Sequence, residues 1–166
     1  MAKLTVKEVQ AEALKVIRSQ PGGIRFTVGK EPVLMHARGS FDVRVTPQMP
    51  GDTSEGAAIG RMTLDKQFHG DLDAKSKGQM LSAGTAVEGS AGYVAMELVS
   101  GVLNGRAGTF VLQHSATMTR GAPQLSITVV PDSGTGQLTG LAGRMSIIIV
   151  DGKHSYEFDY TLVESR

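Results

Sequence analysis

Residues 135–143 read TGQLTGLAG, and residues 100–108 read SGVLNGRAG. Both fit one pattern, Ser/Thr-Gly-x-Leu-x-Gly-x-Ala-Gly. Glycine gives such a stretch positive φ for a tight turn and lets a strand bend sharply at a corner. The leucine between the glycines, Leu103 or Leu138, can then fold under the end of a barrel and plug it. The two stretches lie 35 residues apart and read as corresponding connections between successive strand pairs. Neither has the Gly-x-Gly-x-x-Gly spacing, the Gly-Lys-Ser/Thr ending or the following helix of a phosphate loop.

The segments around these corners alternate apolar and polar residues, the pattern of strands with one buried face. SFDVRVT, residues 40–46, sets Phe41, Val43 and Val45 against polar neighbours. IGRMTLDKQF (59–68) follows, then a long polar run at 71–89 and GYVAMELVSGVL at 92–103. After the first corner come TFVLQHSATM (109–118) and QLSITVVP (124–131), and after the second RMSIIIV (144–150) and HSYEFDYTLVE (154–164). Asp151-Gly152 joins the last two, a strong hairpin signal. Eight strands in succession with short turns favour antiparallel meander pairing, and closure into a barrel removes exposed edges. The expected fold class is all-β: an eight-stranded antiparallel barrel over residues 35–166, with an α-helical extension over residues 1–34.

The extension has a different composition. Residues 1–34 carry six Lys/Arg and three Asp/Glu, whereas the remainder carries eleven and thirteen. Thr5 and Glu8 have capping-box spacing, and Val6, Val9, Ala13, Val16 and Ile17 share one helical face. Pro21-Gly22-Gly23 ends the helix. It reads as a helix docked by its apolar stripe, or as a partner-binding helix or gate.

A net charge of +1 draws the chain toward neither nucleic acid nor an anionic membrane. Cysteine is absent, which excludes disulfides and thiolate metal sites. The first residues have no long apolar run of the kind a signal peptide needs, and no segment approaches a membrane span, so a cytoplasmic protein is expected.

VVPDSGTGQLTGLAG, residues 129–143, resembles the Gly-Thr-Gly segment of allene oxide cyclases and dirigent proteins. GRMTLDKQFHGDL, GTFVLQHSATM and VVPDSGTGQLTGLAGRM resemble, more closely, a bacterial family of unknown function grouped with those barrels. The resemblance covers most of 35–166 and leaves residues 1–34 outside. It implies an eight-stranded antiparallel barrel that self-associates as a homo-oligomer. It brings no established activity and no catalytic residues.

His114 shares strand parity with Phe110, Leu112, Ala116 and Met118, so its ring is expected to be buried in the interior, without a charged partner. Such an imidazole is either a general acid/base or a core histidine hydrogen-bonded to one neighbour. Phe110, Leu112, His114 and Met118 are the candidate ligand-binding residues. Glu97 is the second catalytic candidate. It shares parity with Tyr93, Ala95 and Val99, opposite Val94, Met96 and Leu98. The pattern leaves open which face is inward, and the favoured reading turns Glu97 outward as a solvated charge. His69, Asp71 and Asp73 share parity, but at a strand end, where charges are ordinarily solvated; no metal and no cofactor is assigned. Ser133 has no nucleophile elbow around it, and turn chemistry accounts for Asp132-Ser133. Methionine at 62, 80, 96, 118 and 145 suits an adaptable apolar lining.

The leading functional expectation is a barrel that binds a small hydrophobic molecule. The alternatives are a small-molecule isomerase or cyclase, with His114 or Glu97 assisting proton transfer, and a structural or interaction barrel with a filled core. Whether the protein is an enzyme is left open by the sequence.

Overall fold

The computed structural model describes residues 33–48, 53–54 and 56–163. The helix expected before Pro21 lies outside them, and of the extension over residues 1–34 only Val33 and Leu34 are described, Leu34 beginning a strand.

Nine strands follow in chain order: β1 Leu34–Pro47, β2 Thr53–Ser54, β3 Ala57–Gly70, β4 Leu72–Thr85, β5 Ala91–Leu103, β6 Arg106–Thr119, β7 Ala122–Val129, β8 Leu141–Val150 and β9 Lys153–Leu162. All pairings are antiparallel. From β3 onward each strand pairs with the next, and β1 pairs with β9 on one side and β3 on the other. Eight long strands thus close a meander barrel, and the short β2 adds two residue pairs to β3. The described residues contain no α-helix, only a 3-10 turn at Gly136–Leu138.

Three connections are two-residue hairpins with positive φ at both positions: Asn104-Gly105, Arg120-Gly121 and Asp151-Gly152. Their twist matches that of the flanking strands, which is why such turns join β-hairpins. Closure falls at Gly39, which pairs with Tyr156 on β9 and Gly70 on β3. A Cβ there would collide with the His69 carbonyl. The Tyr156 hydroxyl straps this crossing, accepting from the Leu72 N–H at 2.9 Å and donating to the His69 carbonyl at 3.2 Å.

The two glycine corners are different structures, contrary to the sequence expectation. The first is the Asn104-Gly105 hairpin, in which Leu103 pairs directly with Arg106. The second is the long β7–β8 connection that carries the 3-10 turn, and it lies against the first. The Thr135 N–H donates to the Thr109 carbonyl at 2.9 Å, and the Ala107 N–H donates to the Gln137 side-chain oxygen at 2.9 Å. Gly108 admits this contact: a Cβ there would meet the Thr135 carbonyl and stand 3.1 Å from the Leu138 side chain. Leu138 and Leu103 are both buried, so each leucine fills this end of the barrel as expected.

Inward residues are packed at that end and lose burial toward the other. On β3 the sequence runs from Phe68 and Leu64, buried, to Met62 and Gly60, half-buried. The same gradient runs from Leu112 to Met118 on β6 and from Met145 to Ile149 on β8. Five aromatic side chains, Phe68, Phe110, Tyr156, Phe158 and Tyr160, fill the closed end. Phe158 lies between Phe110 and Tyr160 with ring centroids 5.9 and 5.2 Å away. The seam between β7 and β8 is short. Only Ile127–Met145 and Thr128–Arg144 pair, so the two strands part toward the less buried end.

Because Gly108 has no room for a side chain, Gly108→Ala is expected to cost about 2 kcal/mol or more, as overpacking does. Gly84, which has nothing within 4 Å of an added Cβ, is the control, and its alanine variant is expected to stay within about 0.5 kcal/mol. Urea denaturation of both variants checks the pair.

Candidate functional site

Four neighbouring strands each place one polar side chain at the same interior level. Lys66 on β3, Ser76 on β4, Glu97 on β5 and His114 on β6 are all buried. Strand pleating makes this possible, since residues two apart share a face. Each of the four sits in an alternating run whose other inward members are apolar or small, such as Leu64 and Phe68 beside Lys66.

Glu97 is the hub, with no exposed surface. Lys66 Nζ donates to Glu97 Oε2 at 2.7 Å, and the Ser76 hydroxyl donates to Oε1 in a very short hydrogen bond. His114 Nε2 approaches Oε2 to 2.9 Å. That approach lies off hydrogen-bond alignment, so Nε2 has no directed partner. The Lys66 ammonium also sits over the rings of Phe41 and Phe68, 5.1 and 5.6 Å from their centroids. These faces carry partial negative charge and attract a cation.

Burial by itself pushes the Glu97 carboxyl up. The His114 contact, the Lys66 charge and the hydrogen bonds from Lys66 and Ser76 outweigh burial and hold it down at about 2. Glu97 is therefore ionised across the physiological range, and Lys66 balances its charge inside the barrel. Burial, followed by the negative charge of Glu97, pushes the Tyr93 phenol up. Tyr93 shares the inward parity of Ala95 and Glu97 and lies two inward positions from Glu97, toward the less buried end. Met62, Met80 and Ala116 stand half-buried around it. The cluster thus forms the base of a methionine-lined mouth.

The structure corrects the sequence reading at several places. Glu97 points inward, because three polar side chains on adjacent strands compensate its charge. His114 is buried as expected, but beside a carboxylate rather than without a charged partner. Of the other ligand candidates, Phe110 and Leu112 are buried in the closed end, while Met118 lies 43% exposed beyond the mouth. The four are not gathered around one space. Lys66 and Ser76 were missed, although their parity with Phe68 and Leu72 was readable. His69 instead contacts Asp42 at 3.1 Å, and Asp71 accepts from the Arg38 N–H. Among the described residues, no three His, Asp or Glu side chains gather as a metal site requires. The Ser133 hydroxyl bonds the Val130 carbonyl and the Val111 N–H, a turn role.

The sequence model of a family described as a protein of unknown function, DUF3224, matches residues 37–160. A crystal structure of a DUF3224 protein of unknown function from Shewanella oneidensis MR-1 is 51% identical, covering 80% of this chain and all of that one, with a TM-score of 0.77. The comparison with curated proteins gives no match. The chain belongs to the DUF3224 family.

Removing the Glu97 charge strands Lys66 in the interior, so Glu97→Gln is expected to destabilise by about 3–5 kcal/mol. The pH dependence has a fixed sign. A depressed carboxyl stabilises the fold above its ordinary value near 4.5, and that contribution is lost as pH falls toward 2. Thermal melts from pH 5 to pH 2 are expected to show this loss in the parent and a flatter profile in Glu97→Gln.

Proposed function

We propose that this DUF3224 protein binds a small apolar molecule bearing one hydrogen-bond acceptor, held in the barrel mouth with His114 as its polar anchor. The observation that carries the proposal is the buried His114 Nε2, which has no directed partner at the base of the mouth. A nitrogen 2.9 Å from an ionised carboxylate oxygen is favoured in its N–H form. Its alignment with the carboxylate oxygen is poor, and this supports the reading that a ligand carbonyl can take the hydrogen bond. Glu97 is already engaged by its neighbours, so the cluster offers a donor more readily than an acceptor. Met62 and Met80 supply adaptable apolar walls, and the parted β7–β8 seam gives the mouth a side opening. Kinship with the allene oxide cyclase barrels belongs to this proposal, supported by the meander order and the plugged end. So does a cytosolic location, with which the lack of cysteine is compatible. Among the described residues, no helix is long and apolar enough to cross a membrane.

One observation favours an isomerase or cyclase as a second reading. His114 Nε2 lies 2.9 Å from the Glu97 carboxylate, within reach for a proton to pass between the two groups.

The probe is 2-nonanone, one carbonyl on an apolar chain, titrated by NMR against the full chain. Saturable shifts at the Tyr93 and His114 rings are expected. His114→Phe should weaken binding roughly tenfold, the worth of a hydrogen bond to a polarised group. Met80→Trp, which fills the mouth and spares the cluster, should abolish it. Unchanged binding in both variants would refute the mouth as the site. Native mass spectrometry of the purified protein reads copy number and any retained ligand together.

A further inference from the structure

The outer surface of β3–β6 presents a second arrangement that the barrel interior does not use. Leu81, Val94 and Met96 are each more than half exposed there, at 53%, 54% and 52%. Together with Arg61, Gln79 and Gln113 they border a cleft of about 400 Å³. That volume lies within the range of small-ligand pockets, roughly 300–1,000 Å³. The register explains the shape. Arg61, Leu81 and Val94 pair across three strands in one outward row, and Gln79, Met96 and Gln113 pair in the next. The floor between the rows is the main chain of Met80, Ala95 and His114, whose side chains point into the barrel.

Arg61 gives the cleft its chemistry. Its Nε and one terminal nitrogen donate to the same Gln79 side-chain oxygen, at 3.1 and 2.6 Å. This fixes the guanidinium with a neutral partner and leaves its remaining N–H groups available. Arg61 makes no ion pair with any described residue; Asp65, further along β3, faces Arg44 at 3.6 Å. A pre-set guanidinium with no carboxylate partner among the described residues, at the edge of an apolar surface, is complementary to an anion that carries an apolar tail.

We infer that this outer cleft binds a small amphipathic carboxylate, with its head on Arg61 and its chain over Leu81, Val94 and Met96. The inference does not rest on the mouth reading, because the two sites lie on opposite faces of the same strands.

Decanoate, titrated into the full chain below its micellar concentration, is the probe, with 1-decanol as the uncharged control. Saturable binding is expected, with NMR shifts centred on the Met80, Ala95 and His114 amides. Arg61→Gln and the change to decanol should each weaken it roughly tenfold, the worth of a charge-assisted pair. Val94→Lys should disrupt the apolar wall and also weaken binding. Arg61→Gln should leave 2-nonanone affinity unchanged. The inference is overturned if decanoate does not saturate, if Arg61→Gln binds it as well as the parent, or if the shifts map to the Tyr93 ring. Concentration-dependent self-association that buries this face and excludes decanoate would overturn it as well.

Discussion

A carboxylate with no exposed surface sits inside the barrel, and four strands must keep register for it to be tolerated. Glu97 is compensated by Lys66, Ser76 and His114, which come from β3, β4 and β6. A one-residue slip of any of these strands would turn its polar side chain outward and bring an apolar or mismatched one in. The penalty for stranding a buried charge is several kcal/mol, far above the cost of a slipped backbone hydrogen bond. The cluster is thus a register device as well as a chemical group. Its net neutrality matters to both roles, because the Lys66 charge cancels that of Glu97 within 2.7 Å.

The strands were legible because alternation is local. Residues such as Phe41, Val43 and Val45 declare a buried face within five positions, and the Asp151-Gly152 turn declares its hairpin within two. The face of β5 was not legible, because both of its faces are apolar. Val94, Met96 and Leu98 look more like core than Tyr93, Ala95 and Glu97 do, yet they line the outer wall. What decides the matter lies 21 to 31 residues away, at Ser76 and Lys66. Their parity with Leu72 and Phe68 was available, but only pairing β3, β4 and β5 in register turns three separate parities into one cluster. The glycine corners failed for a related reason. Their residues match, but the number of residues between paired strands sets the turn. Leu103 and Arg106 are ladder partners, which leaves room for two residues, whereas the chain between β7 and β8 has room for a 3-10 turn.

The barrel's asymmetry follows from where its large side chains fall. Aromatics on β3, β6 and β9 and the leucines of both corners converge on one end, and among the described residues no comparable buried cluster occupies the other. Met62, Met80, Ala116 and Gly60 take inward positions there, beside Tyr93, Leu125 and Ile147, and none of them is fully buried. An eight-stranded barrel has an interior that side chains just fill. Packing among the described residues is therefore looser at that end. The polar cluster sits where the packing changes, beneath the methionines and above the aromatics.

The inward and outward features of β4–β6 share one sheet of main chain. Met80, Ala95 and His114 are the floor of the outer cleft and also carry the side chains that face the mouth. Ala95 keeps this wall thin, since a methyl group is all that it projects inward between Met80 and His114. A strand that moved to admit a ligand on one face would shift the backbone on which the other face is built. The rigid part of that wall is the Glu97 cluster, one residue pair further toward the closed end. Motion would then be confined to the span beyond Met80 and His114, where the β7–β8 ladder is already parted and Met62, Tyr93 and Ala116 are only half-buried.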